Sequence, residues 1–462
     1  MLVLCLLVWT LSNVQDAGAQ EKPWRLADAL DAPDWLKIEG ETRIRYESVA
    51  GQFRAGGRGG DQVVGARTLA LIEVDTGRVA LGIEAQDARA WQDDAGTPLS
   101  GSNVNPLDIL QAYARIDFGN DVPLFEDASL KLGRQSFNFG SQRIIERTEM
   151  GNVIASFTGA YWSGETARGD DLHALYVVPV GDGAPTRTEL DHNDIVSDRE
   201  HWGRRLWGVH YVRQDTFGNV LPRMQSELYL YGLRERDTGA TLTPNRDYLE
   251  PGVRLFRAPE IGQWDLDVET SMRFGTRRAT SLASDTRDLD VHAHRMIARI
   301  GYTFENDWRT RLAFDIDVAS GDENPTDARF DQYERLFGSR RTDLGATGIF
   351  GPLVPANLIA PGARIEVAPS RRTDARLVYK AAYLNEARDA WVGANVRDTS
   401  GQSGKFIGHA LDARVRTWII PDALRFEVGA AALIRGDFAK RAPNAAATGD
   451  SSFGYVQLSH RF

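Results

Sequence analysis

From Leu36 to the last residue, the chain alternates apolar and polar positions with a period of two. In Trp308 to Val318, one face of an extended strand carries Trp308, Thr310, Leu312, Phe314, Ile316 and Val318. The other carries Arg309, Arg311, Ala313, Asp315 and Asp317. One face suits hydrocarbon and the other suits water. A run of about eleven residues is what a tilted strand needs to cross a bilayer. Trp264 to Phe274 repeats the pattern, with Trp264, Leu266, Val268, Thr270, Met272 and Phe274 against Asp265, Asp267, Glu269, Ser271 and Arg273. So do Ala375 to Tyr383 (against Arg376 and Lys380), Leu411 to Ile419 (against Asp412, Arg414 and Arg416) and Leu424 to Arg435 (against Arg425, Glu427 and Arg435). The first strand, Leu36 to Tyr46, sets Leu36, Ile38, Ile44 and Tyr46 against Lys37, Glu39, Glu41, Arg43 and Arg45, with a kink expected at Gly40. Two segments resist assignment. Gln225 to Glu235 places Tyr229 and Tyr231 on the parity of Glu227 and Glu235, and Val63 to Val74 fits either orientation.

The connectors alternate in length. Asp422-Ala423 and Glu305-Asn306-Asp307 are short, whereas Gly51 to Gly60, Asp182 to Glu200 and Ser320 to Pro361 are long. Short turns on one side and long loops on the other mark a transmembrane barrel. A tally of strands gives roughly sixteen to eighteen, the size that leaves a water-filled lumen. The expected fold is therefore all-β, an antiparallel transmembrane β-barrel over residues 36–462. The chain closes on Val456, Leu458 and Phe462 along one face and Gln457, Ser459 and Arg461 along the other. A final strand ending on Phe462 is the kind of end that the barrel-assembly machinery reads.

Composition narrows the choice of membrane class. The chain has 462 residues, 42% of them hydrophobic, and a mean hydropathy of −0.35. No apolar stretch of about 18 residues follows the N-terminus, so a bundle of transmembrane helices is excluded. Leu2 to Leu11 is an apolar run, followed by Ala17-Gly18-Ala19. That pattern reads as a signal peptide over residues 1–19, leaving residues 20–35 as a periplasmic N-terminal segment. The alternative is a buried N-terminal helix. The Lys or Arg that ordinarily precedes such a run is missing, which points to a start upstream of Met1. Cleavage would remove Cys5, the one cysteine, and with it any disulfide chemistry. The expected location is the Gram-negative outer membrane, with its lipids and lipopolysaccharide around the barrel. The net charge of −10 argues against nucleic acid as a partner.

Several segments resemble the bacterial alginate-export family of outer-membrane barrels. Leu130-Lys131-Leu132-Gly133-Arg134-Gln135-Ser136-Phe137, with Gly140 and Arg143 beyond, is similar to that family's Gly-Arg-Gln strand, and Gln111-Ala112-Tyr113 to the strand before it. Ala319-Ser320-Gly321-Asp322-Glu323-Asn324-Pro325, through Phe337 and Leu344-Gly345 to Asn357-Leu358, resembles its long loop. The chain departs from the family in carrying Met150-Gly151-Asn152 in place of an aromatic, and Gly338-Ser339-Arg340-Arg341 without a histidine. The resemblance implies an 18-stranded barrel that conducts an anionic polyuronate, and it places Arg134 in the lumen.

A conduit for polyuronate needs cations on its wall, because low-dielectric walls focus the field on the solute. Arginine suits this, since its planar fork binds a carboxylate through two hydrogen bonds and keeps its charge. The inferred lumen faces supply Arg43, Arg45, Arg115, Arg273, Arg299, Arg309, Arg311, Arg376, Lys380, Arg414, Arg416, Arg425 and Arg461, beside the lumen carboxylates Asp265, Asp267, Glu269, Asp315, Asp317 and Asp412. The competing reading of each arginine is an ion pair that braces the wall. The aromatics Trp207, Tyr211, Trp264, Tyr302, Trp308, Tyr379, Tyr383 and Trp418 read chiefly as an interfacial girdle; an inward Trp418 would instead offer a sugar-stacking surface. No catalytic motif is present: Gly401-Gln402-Ser403-Gly404 fails the nucleophile spacing. His292 and His294 share a face without a third ligand, and Asp322, Asn324 and Asp327 miss the calcium-loop spacing. No cofactor and no metal site are expected. The leading function is a passive channel for an anionic polysaccharide. The alternatives are a general or substrate-specific porin for small acidic or apolar solutes, and a barrel-borne hydrolase or adhesin.

Overall fold

The computed structural model describes residues 23–181, 185–239 and 241–462, so the expected signal peptide at 1–19 lies outside the described residues. Eighteen long antiparallel strands form one closed sheet. In chain order they are β1 (Leu36–Ala50), β2 (Gly60–Asp75), β3 (Val79–Trp91), β4 (Asn105–Asp117), β5 (Asp127–Gln135), β6 (Ser156–Glu165), β7 (Asp171–Gly181), β8 (Arg204–Arg213), β9 (Gln225–Glu235), β10 (Asp247–Arg257), β11 (Trp264–Arg278), β12 (Asp288–Thr303), β13 (Arg311–Ala319), β14 (Leu358–Val367), β15 (Thr373–Tyr383), β16 (Phe406–Ile420), β17 (Leu424–Arg435) and β18 (Ser451–Arg461). Each pairs with its neighbours in sequence, and β18 returns to pair with β1. Two short strands join from the loops, Arg199–Glu200 on β7 and Arg329–Phe330 on β12.

The alternation sets the facing of every strand. Phe314 on β13 is 70% exposed, whereas Asp315 beside it is 6% exposed. The first faces the hydrocarbon and the second the interior. On β2 the odd positions Val63, Arg67, Leu69 and Glu73 are buried inside, and Ile72 is exposed. On β9, Glu227, Tyr229, Tyr231 and Glu235 all point inward and are buried. Both unassigned segments are thereby fixed. Trp264 and Tyr302 sit ring to ring outside the lower end, with Phe304 5.1 Å from Tyr302, and Tyr383 and Phe406 meet at the upper end. These rings form the two outer girdles.

Three boundaries differ from the sequence expectation. The pairing of β1 with β2 runs unbroken from Leu36 to Ala50, so Gly40 causes no kink. Gly40 and Thr42 continue the outward parity of Leu36, Ile38 and Ile44. Gly40 serves closure instead: its N–H donates to the Phe462 carbonyl at 2.9 Å, and the Phe462 N–H donates back at 3.0 Å. A Cβ on Gly40 would overlap the Phe462 ring and stand 2.9 Å from the Leu69 carbonyl oxygen. Second, Pro361 lies inside β14, so the long loop ends at residue 357. Proline lacks a ladder donor, and the pairing of β14 with β15 skips Ala360 and Pro361 while β13 still pairs with both. Pro251 on β10 interrupts the ladder with β11 in the same way. Third, β13 begins at Arg311, which leaves Trp308 and Arg309 in the preceding turn.

Both described chain ends lie at the lower rim. Arg25 donates there to the carbonyls of Arg461 and Asp422, and Trp24 stacks on His460. Substituting Gly40 by Val is expected to weaken closure by about 1–3 kcal/mol, the usual cost of forcing atoms into a filled site. Urea unfolding followed by the heat-dependent shift of the folded band on a gel measures it; an unchanged midpoint would remove Phe462 from the closure account.

Candidate permeation pathway

Eighteen strands enclose more space than their own side chains fill. Two loops occupy it. The segment 136–155 after β5 and the segment 320–357 after β13 fold inward and meet. The Phe337 N–H donates to the Ile144 carbonyl at 3.0 Å, the Glu146 N–H to the Phe337 carbonyl at 3.2 Å, and the Ser339 N–H to the Gln142 carbonyl at 2.8 Å. Their joint unit has an apolar side. Phe139, Ile144 and Ile145 pack on Phe157, Leu175, Val177, Leu206, Tyr229 and Tyr231 of β6 to β9. Phe139 lies 5.5 Å from both His210 and Tyr231, ring to ring. His210 is held by Tyr231 at 3.0 Å and Glu227 at 2.9 Å. The inward tyrosines of β9 are thus the seat of a loop.

The other side of the unit is a charge clamp. Arg143 reaches Asp267 at 2.7 Å, Glu269 at 2.6 Å and Asp343 at 2.9 Å, all buried. Arg299 adds a bond to Asp343 at 2.8 Å. Burial disfavours the Asp343 carboxylate, but Arg143, with Arg299 and Arg295 near it, holds the carboxyl well below the usual range. Across the lumen, Arg43, Arg45 and Arg67 pin the loop backbone at Met150-Gly151-Asn152. Arg45 donates to the Met150 carbonyl at 2.7 Å, Arg43 to the Gly151 carbonyl at 2.8 Å, and Arg67 to the same carbonyl at 3.0 Å. Asn152 in turn donates to the Asn103 carbonyl at 2.7 Å.

A cavity of about 850 Å³ lies at the lower rim beside β1 to β4, where Arg25, Lys37, Arg67, Arg147 and Arg461 face Asp28, Glu39, Glu41, Glu84 and Glu149. Two smaller cavities lie toward β15 to β18 and adjoin each other. The upper, about 290 Å³, is lined by Arg45, Arg335, Arg340 and Arg341 and one carboxylate, Glu146. The lower, about 350 Å³, is lined by Arg147, Arg341, Arg376, Arg414, Arg416 and Arg425 against Glu146, Glu149 and Glu427. Glu146, Met150, Ser339 and Arg341 line both, so the two cavities adjoin at these residues, termed the neck below. Arg340 donates to carbonyls, at 3.0 Å to Gly351 and 2.8 Å to Leu353, and has no carboxylate within 4 Å among the described residues. Burial, with Arg335 and Arg54 nearby, pushes it down to about 9. Another cavity of about 290 Å³ lies against β10 to β14. Its arginines Arg143, Arg254, Arg299, Arg311 and Arg364 face Asp265, Asp267, Asp343 and Glu366, and the charges are nearly matched.

The inferred lumen residues divide accordingly. Asp265 pairs with Arg311, Asp315 with Arg299, Arg364 and Lys380, and Asp317 with Lys380. Asp412 takes Arg341 at 2.9 Å and Arg376 at 3.3 Å. Arg273 is buried on Glu250 with Tyr248 and Tyr333 around it, and Arg115 is bound to Asp75 and Asp117. Arg43 is sealed beneath the loop backbone that it pins. Arg414 and Arg416 share Asp374, at 2.8 and 2.6 Å. Arg425 has no carboxylate within 4 Å among the described residues; its guanidinium lies 5.5 Å over Trp418, with Arg461 5.3 Å from the same ring. Trp418 points inward, but these two guanidinium groups attend its ring. Two placements fail. Arg309 is exposed in the turn between β12 and β13, at φ 45°. Arg134 shares the outward parity of Leu132, since the strict alternation of β5 turns Lys131 and Gln135 inward. It is satisfied at the upper rim by Glu200 at 3.0 Å and Asp108 at 3.5 Å.

A family profile described as alginate export matches residues 34–451. The chain belongs to the alginate export family. It is an outer-membrane β-barrel of the porin-like kind. Among solved structures, Pseudomonas aeruginosa OccK9 (OpdG) is similar in fold, with a TM-score of 0.58 and 14% identity over 92% of this chain and 98% of that one. Pseudomonas aeruginosa OccK5 (OpdH) gives 0.57 and 13% over 92% and 98%. A structure of OpdK from the same organism, crystallised with vanillate, gives 0.55 and 13% over 92% and 98%. No curated protein sequence matches the chain.

Sequence alternation does not reach Arg143, Arg147, Glu146, Arg335, Arg340, Arg341 or Asp343, because all lie in loops of this alginate export family member. One signal was available: Arg143 stands within the family's Gly-Arg-Gln segment, and a charged residue there needs a partner. Arg143→Ala removes the cation that three buried carboxylates share and leaves Arg299 on Asp343 and Arg254 on Asp267, so the cost is expected at the lower end of the about 3–5 kcal/mol typical of breaking a buried pair. The expected outcome is a lower unfolding midpoint together with a larger, noisier single-channel conductance as the loop unit loosens. A variant with wild-type conductance and stability would show that the clamp does not hold the loops.

Proposed function

We propose that this channel conducts anions passively, and that its solute is a carboxylated saccharide chain such as a polyuronate. The surplus of guanidinium groups over carboxylates along the two joined cavities carries the reading. Against β10 to β14, by contrast, buried arginines are nearly matched by Asp and Glu. A positive path between low-dielectric walls concentrates anions. Several weak sites in series allow each carboxylate to be handed on rather than trapped. The arginines of the lower cavity are partly committed to Asp412 and Asp374, which tempers their hold on a passing carboxylate. An extended chain of acidic sugars presents one carboxylate per residue and needs only a narrow bore. No step in this reading is catalytic.

The inward fold of the segment 320–357 favours a second reading, a pore for small organic acids. Cavities of about 290 and 350 Å³ are large enough to hold such solutes. Structural likeness to OpdK, which was crystallised with vanillate, lends this reading support. The same reading sets lipid and lipopolysaccharide against the outer wall and takes Phe462 as the end recognised during assembly.

In a planar bilayer under a salt gradient, the pore is expected to prefer anions and to be blocked by oligouronates in a dose-dependent way. Block by small aromatic acids alone would favour the second reading, and cation preference would refute both. Replacing Arg414, Arg416 and Arg425 together by Ala is expected to lower anion preference about fivefold or more, since each charge near the ion is worth about 1 kcal/mol even in water. Arg309→Ala and Arg134→Ala, which remove guanidinium groups outside the path, are expected to leave selectivity unchanged.

A further inference from the structure

Glu146 occupies an unusual place among the interior carboxylates. It lines both cavities at the neck, and it is the one carboxylate in the lining of the upper cavity. Its backbone is fixed by the bond to the Phe337 carbonyl at the junction of the two loops. Asp267, Glu269 and Asp343 are each held by Arg143. Glu146 has no cation within 4 Å among the described residues; the Ser339 and Thr148 side chains nearby favour its charged form. Its own loop presents Glu149 to it, while Arg147 turns away to Glu84 at 2.6 Å. The facing loop presents Arg335, Arg340 and Arg341, of which Arg341 is paired with Asp412. From the wall, Arg45 faces the upper cavity, bound to Glu47 at 2.7 Å. Arg376, Arg414, Arg416, Arg425 and Glu427 face the lower one.

We propose that the Glu146 carboxyl is the specificity-determining group of the neck, opposing anion passage when ionised and admitting anions when protonated. The inference rests on the neck being the conducting path. A carboxylate in the lining shared by both cavities acts on every ion that passes between them; like Glu149 and Glu427 of the lower cavity, it has no cation within 4 Å among the described residues to cancel its field. Its protonation falls in the neutral range. Burial disfavours its charge, the Ser339 hydroxyl counters this, and Glu149 adds repulsion, so the carboxyl is raised to about 7. The sign follows directly. Below that value Glu146 is neutral and the neck is more positive; above it, the negative charge partly cancels Arg335 and Arg341. Anion preference therefore rises as pH falls.

The test is reversal potential under a potassium chloride gradient between about pH 5.5 and about pH 8.5, a window bracketing the raised carboxyl but above ordinary Asp and Glu. The wild-type anion preference is expected to rise about fivefold toward the acid end, the factor one unit charge a few ångströms from the ion contributes in water. Glu146→Gln is expected to hold the acid-end preference at every pH. Ser339→Ala, which removes the hydroxyl that stabilises the carboxylate, is expected to move the wild-type midpoint upward, and gives a second readout should Glu146→Gln fail to fold. A wild-type preference that is flat across the window overturns the proposal, as does a Glu146→Gln channel with the wild-type pH response. An anion-selective but pH-flat pore removes Glu146 alone; cation preference at every pH, unchanged in the variant, removes the anion pathway itself.

Discussion

Everything in this protein follows from one constraint: in hydrocarbon, each backbone N–H and C=O must find its partner within the protein. A sheet meets that constraint only by closing on itself. Closure is completed where Phe462 and Gly40 exchange both of their backbone bonds. A ring of eighteen strands then encloses an interior too wide for wall side chains to fill, and the loops fill it. The barrel and its plug are one consequence of the same requirement.

Filling the interior with loops raises a second problem, because loop backbone and charged side chains are costly to bury without partners. The structure solves it by dividing the lumen. Against β10 to β14, carboxylates and guanidinium groups are nearly matched, and Arg143 gathers Asp267, Glu269 and Asp343 into one clamp. Against β6 to β9, the seat is aromatic, built on Phe139, Tyr229 and Tyr231. Against β1 and β2, arginines hold loop carbonyls. Beside β1 to β4 the cavity at the lower rim has matched charges, whereas in the one beside β15 to β18 arginines outnumber carboxylates. The same residue type thus braces one wall and lines a path along another; the local supply of Asp and Glu decides which.

The strand grammar was legible in the sequence because the two faces of each strand meet different solvents. Trp264 to Phe274 and Leu424 to Arg435 alternate as the structure shows. Misplaced boundaries have physical causes. Pro361 reads as a loop residue, but a strand tolerates it by forgoing a bond on one side. Arg309 continues the alternation of β13 beyond the end of the strand. Arg134 was carried inward by family likeness, against the parity that its neighbour Leu132 declares. The neck itself was not legible, since Glu146, Ser339 and Arg341 belong to loops without periodicity, brought together from segments far apart in the chain. Tyr229 and Tyr231 defied assignment because their inward face meets a loop rather than water.

The central claim is that solute crosses at the neck formed by Glu146, Met150, Ser339 and Arg341. Cys5 is the chain's one cysteine, so a single thiol can be placed at the neck by Ser339→Cys in a chain that begins at residue 20. The most direct measurement is the current through one reconstituted channel of that protein while an anionic thiol reagent is added. If the account is right, modification lowers the anion current in a step, and oligouronate in the bath slows the reaction. If the thiol is modified and the current does not change, ions cross elsewhere and the account is wrong.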